Sequence, residues 1–138
     1  MAYCDLAGLV ARFGDAELLR IADRDDDDKI DNDVVDGALN DASDEIDAYI
    51  GTRYSVPMSP APALLVRLCA DIARYRLYDE NPLDEVAERY KQAITTLRDI
   101  SNGRATLKDS SQTPTSGDVE VIRDDCDRIF TRESLRFY

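Results

Sequence analysis

An all-α body is the reading that best fits this chain, and three observations carry it. From Leu6 to Ile100 the apolar residues recur at spacings of three and four, the period of a helix face. The prolines, at 57, 60, 62, 82 and 114, fall between those runs rather than inside them. The runs also stop at Gly14, Gly51 and Gly103, and glycine is the residue that most readily closes a helix. The expectation is a compact helical bundle of three longer and one or two short helices, from about residue 3 to 103, with an extended C-terminal arm.

Asp5 to Phe13 sets Leu6, Leu9, Val10 and Phe13 on one helical face, with Asp5 as N-cap and Gly14 as stop. Asp15 caps a second short turn, AELLRIA, in which Glu17 sits favourably near the helix N-terminus. An acidic loop follows. From about Asp33, Val35, Ala38, Leu39, Ala42, Ile46, Tyr49 and Ile50 form one stripe, while Asp36, Asn40, Asp44 and Asp47 form the opposite one. TRYSVPMSPAP cannot stay helical and reads as an extended connector. A helix then runs from about Pro62 to Asp79 with Leu64, Leu65, Leu68, Ile72, Tyr75 and either Leu77 or Tyr78 inward. Asn81-Pro82 breaks it and starts the next, whose core face is Val86, Tyr90, Ala93, Ile94, Leu97 and Ile100.

Past that helix the character changes. Residues 104–118, ending in KDSSQTPTSGD, are a polar linker with little to bury. Residues 119–138 then place Val119, Val121, Ile122, Ile129, Phe130, Leu135, Phe137 and Tyr138 beyond it. Such an arm either folds back on its own core or docks on a neighbouring subunit or partner, where binding offsets the entropy of ordering it.

With 138 residues and 43% hydrophobic content, the chain fits one domain with a modest core. No stretch approaches the roughly 20 apolar residues of a spanning helix, and the N-terminus lacks a basic segment followed by an apolar run. A soluble cytoplasmic product without membrane contact is expected. Cys4, Cys69 and Cys126 are odd in number and far apart, which argues for reduced thiols rather than a disulfide framework. Histidine is absent, which removes the Ser-His-Asp and Cys-His pairs and histidine-ligated zinc. The glycines stand singly, so no phosphate loop is present. No enzyme is expected, although a carboxylate pair with shifted pKa values in a cleft would revive a hydrolase.

The net charge of −12 is concentrated. Between Asp23 and Asp47 twelve acidic residues face only Arg24 and Lys29, a net of −10, which leaves −2 for the rest. Such a surface disfavours phosphate backbones and anionic lipid. At its front stands DRDDDDKIDND, with seven aspartates in eleven residues. A calcium loop of the EF-hand type would use Asp23, Asp25, Asp27 and Asp31 as its first, third, fifth and ninth residues, with Ile30 at the apolar eighth. Two positions fail: Asp28 stands where glycine belongs, and Val34 where a bidentate carboxylate belongs, unless Asp33 or Asp36 substitutes. The residues alone leave open a partial calcium site or a solvated, self-repelling loop.

The segments YCDLAGLVARFGDAELL, DRDDDDKID, ALNDASDEIDAYIGTRY, LLVRLCADIARYRLYD and RIFTRESLRFY together resemble a family of small structural proteins of Mu-like phages and prophages. CADIARYRLYD, Cys69 to Asp79, is the most specific of them, and only residues 110–117 lack a counterpart. The family's loops usually read DRDGDGxID, with glycine where this chain has Asp26 and Asp28. The resemblance implies a head-tail connector, or adaptor, in the virion neck: a dodecameric ring beneath the portal protein, joined to a downstream neck or tail-terminator protein, with DNA passing through without specific binding. It carries no catalytic residues. On that reading Ile129, Phe130, Leu135, Phe137 and Tyr138 anchor the arm on neighbouring subunits or the portal, with Arg128, Arg132 and Arg136 as polar partners. A calcium-binding helical interaction module and a tail-terminator-like neck component are the alternatives.

Overall fold

Gly14 joins the first two helices with no other linker. It takes a φ of 90°, closes α1 (Leu6–Phe13) by donating its N–H to the Val10 carbonyl, and is also the N-cap of α2 (Asp15–Ala22). Only glycine enters that backbone region without strain. Asp15, expected to be the cap, is instead the first residue of α2, where with Glu17 it places negative charge against the helix N-terminus. Asp5 caps α1 as expected, accepting from the N–H of Gly8 at 2.8 Å.

The structure, a computed structural model, describes residues 2–107. After the acidic loop come α3 (Asn32–Ile50), α4 (Ala63–Leu77) and α5 (Asp84–Ser101), and among the described residues there is no strand. The chain is thus all-α in its described part, with two short and three long helices. The linker beyond Leu107 and the arm, residues 108–138, lie outside the described residues.

α3 packs along both α4 and α5, α4 packs along α5, and α1 lies against α2, α3 and α4. Leu9, Leu18, Leu39, Ile46, Ile50, Leu65, Leu68, Ile72, Leu97 and Ile100 are fully buried between them. Removing each of these side chains from water stabilises the fold by roughly 1.5–3 kcal/mol before entropy is charged against it. The stripes read from the sequence in α3 and α5 are the buried ones, except that Tyr49 and Tyr90 are half-buried.

Two buried polar residues interrupt the apolar stripes. Ser43 accepts from the N–H of Tyr3 at 3.0 Å and donates to the Leu39 carbonyl at 2.9 Å, so burial leaves neither partner unpaired. Arg74 is the other, 7% exposed in the last turn of α4. The body continues past α5 to Leu107, which is buried and gives its N–H to the Tyr54 hydroxyl at 3.1 Å.

Candidate functional site

The acidic segment divides into a loop that holds itself together and a helix face that is partly spent on neighbours. Residues 23–31 connect α2 to α3, closed at the base by the Asp31 N–H to the Ala22 carbonyl at 3.2 Å. Within it the Asp23 carboxylate accepts from the N–H groups of Asp27 and Asp28, at 3.3 and 3.0 Å. Asp27 accepts from the Lys29 N–H at 3.0 Å and pairs with the Lys29 ammonium at 3.3 Å. Asp31 accepts from the Arg24 N–H at 2.9 Å. Arg24 in turn reaches Asp79 at the end of α4, at 3.2 Å. Ile30 is the apolar foot of the loop, packed against the core.

Short aspartate side chains and repeated N–H groups are the ingredients of such a turn. Its backbone needs positive φ at Asp26 and Asp28, 55° and 59°. Those are the two positions at which the resemblance set out above implies glycine. Of the four residues considered as cation ligands, Asp23, Asp27 and Asp31 therefore each bond loop N–H groups, while Asp25 is exposed. Among the described residues no group of three or more His, Cys, Asp or Glu side chains is arranged to hold a metal ion.

Along α3 the carboxylates have different fates. Asp33, Asp36, Asp41 and Asp44 are exposed. Glu45 is drawn inward, accepting from Arg76 at 2.8 Å and from the Tyr90 hydroxyl at 3.0 Å, while the Tyr90 ring stacks on Tyr75 with centroids 4.1 Å apart. Burial and then the bond to Glu45 raise the Tyr90 hydroxyl above its ordinary pKa. Asp47 takes the hydrogen bond of the Tyr3 hydroxyl, whose oxygen also receives the Met58 N–H at 3.1 Å. That contact fastens the N-terminal segment and the proline-rich connector to one point of α3.

Sequence reasoning did not foresee the tie between α2 and α4. Arg74 holds the Glu17 carboxylate, with nitrogen-oxygen distances of 2.6 and 2.7 Å, and lies 4.5 Å over the Phe13 ring. Tyr78 donates to the same Glu17 oxygen at 2.8 Å and accepts from Arg20 at 3.1 Å. A signal was present: Ala70 and Leu77, four residues before Arg74 and three after, are both on the buried face.

On α1 the expected inward face is only partly used. Leu9 is buried, but Leu6 and Val10 are half-exposed. With Ala7 and Ala11 they floor a groove of about 760 Å³ that runs to Asn32 and Asp36 at the start of α3. The interface residues expected in the arm, Ile129, Phe130, Arg132, Leu135, Arg136, Phe137 and Tyr138, lie outside the described residues.

Residues 3–123 match the family described as Bacteriophage Mu, Gp36. Over 105 residues the chain is 34% identical to the Mu-like prophage FluMu protein gp36 of Haemophilus influenzae, covering 76% of this chain and 74% of that protein. It is 27% identical over 141 aligned positions to gene product J of Escherichia phage Mu, covering 99% of each.

Proposed function

The chain belongs to the Bacteriophage Mu, Gp36 family, and from that premise we propose that it is a structural, non-catalytic part of a Mu-like virion neck, an adaptor that forms a ring under the portal and joins the DNA-filled head to the tail. The observation that carries this reading is the reach of the family match. It runs through the whole helical body and on to residue 123, so residues 108–123 beyond the body belong to the matched family region as well. A small body followed by a segment whose last eleven residues are apolar and basic suits a subunit that must hold its neighbours, because a ring needs two different contact surfaces on every copy.

The charge distribution suits the same role. The exposed carboxylates of the loop and of Asp33, Asp36, Asp41 and Asp44 make lasting contact with a phosphate backbone unfavourable, and a passing duplex should slide rather than stick. No described helix is long and apolar enough to cross a membrane. The decisive measurement is the mass of the purified protein, alone and mixed with the portal protein of its own phage. A ring, or a complex with the portal, is expected; a chain that stays monomeric and ignores the portal ends the adaptor reading. Deleting the residues after Gly117 should leave a folded body that cannot complete heads.

A further inference from the structure

We infer that the groove on α1 is the receptor for the Arg128–Tyr138 segment of a second copy of this chain. The inference rests on the ring reading and specifies the surfaces that would close it. The groove is apolar along its floor, Leu6, Ala7, Val10 and Ala11, and carboxylic at its rim, Asp5 and Asp36. Leu6 and Val10 are left half-exposed although α1 is patterned to bury them, and Ala7 and Ala11 beside them are exposed. The acidic loop lies at the same end of α3, so the local field favours a cationic, apolar ligand.

Among the residues beyond Leu107, Arg128–Tyr138 fits that description. Arg128, Arg132 and Arg136 stand four apart, opposed only by Glu133, and are interleaved with Ile129, Phe130, Leu135, Phe137 and Tyr138. This stretch is net cationic in a chain of net charge −12. Aromatic and arginine residues are also those most enriched at binding hot spots.

Head-to-tail closure, not reach, selects a second copy over the chain's own groove. The described body ends where Leu107 meets Tyr54, just past the C-terminal end of α3, whereas the groove lies at the N-terminal end of the same 19-residue helix. The two sites are therefore about 28 Å apart along its axis. Donor and acceptor at opposite ends of each subunit are what a head-to-tail interface requires. The segment 108–127 reaches at most about 70 Å, ample for an adjacent subunit and for the chain's own groove alike, so the test separates the two.

The test uses full-length chains and their masses in solution. Ala7→Arg fills an exposed groove position; Arg128→Glu, Arg132→Glu and Arg136→Glu together reverse the arm. Wild type should associate with rising concentration. Each variant should melt like wild type yet weaken association by about tenfold or more. An equimolar mixture of the two variants should stop at a heterodimer, because it holds one working arm and one working groove. If both variants associate like wild type, the groove pairing is wrong while the ring reading survives on another interface. A monomeric wild type in which Ala7→Arg frees the arm to protease would place the segment in its own groove and overturn the second-copy assignment. A monomeric wild type with no such effect removes the groove pairing, and the portal mixture then judges the ring reading separately.

Discussion

Burial first, and then its hydrogen bond to Asp47, push the Tyr3 hydroxyl up to about 12 from an ordinary 10.0. A raised pKa means that the fold prefers the protonated phenol. This stabilisation is complete below pH 10.0 and is lost as pH rises through about 12. Unfolding titrations should show stability declining across that window, and Tyr3→Phe should shrink the decline. It will not abolish it, because Tyr90, Cys4 and Cys69 are raised by burial as well. Asp26 and Asp28 offer a second test at the level of single residues. Both hold left-handed backbone, so glycine at either should raise stability by up to about 1 kcal/mol in urea melts. Asp25→Gly, where the backbone is ordinary, should bring no such gain. The sequence did expose Asp28 as a residue standing where a glycine conformation was needed. It could not expose Tyr3, whose partners Ser43, Asp47 and Met58 lie 40 to 55 residues away.

Between elements, the Glu17–Arg74 pair is the chief polar fastening of α2 to α4. Glu17→Ala would leave the buried Arg74 without its carboxylate, at a cost of about 3 kcal/mol by thermal or urea unfolding. A double-mutant cycle with Arg74→Met should recover part of that loss, since the stranded charge is then gone. The three long helices were legible because each repeats one stripe over four or more turns, and their ends fell within two residues or so of their caps and prolines. α1 was legible as a helix but not in its packing. Periodicity says which face is apolar and is silent on whether a neighbour covers all of it, and here Leu6 and Val10 are left half-covered.

Seen as a whole, the molecule carries a charge that works against its own compactness. Raising monovalent salt to about 0.5 M should screen the exposed aspartates and raise Tm by about 5 °C. Calcium at the same ionic strength should give the same curve, because the loop carboxylates converge on backbone N–H groups rather than on a common point. The concentration of acid between Asp23 and Asp47 was plain from the sequence; its division was not. Whether a carboxylate meets Arg76, Tyr3 or open water depends on which helices come together, and no local pattern records that. The same long-distance ties set an order in time. Glu17 waits for Arg74 and Tyr78, and Tyr3 waits for Met58, so the first two helices leave the ribosome with none of those partners yet made. Folding then becomes a late event in synthesis, begun only when α4 emerges and turns back over the oldest part of the chain, and completed when α5 adds Leu97 and Ile100 to the core.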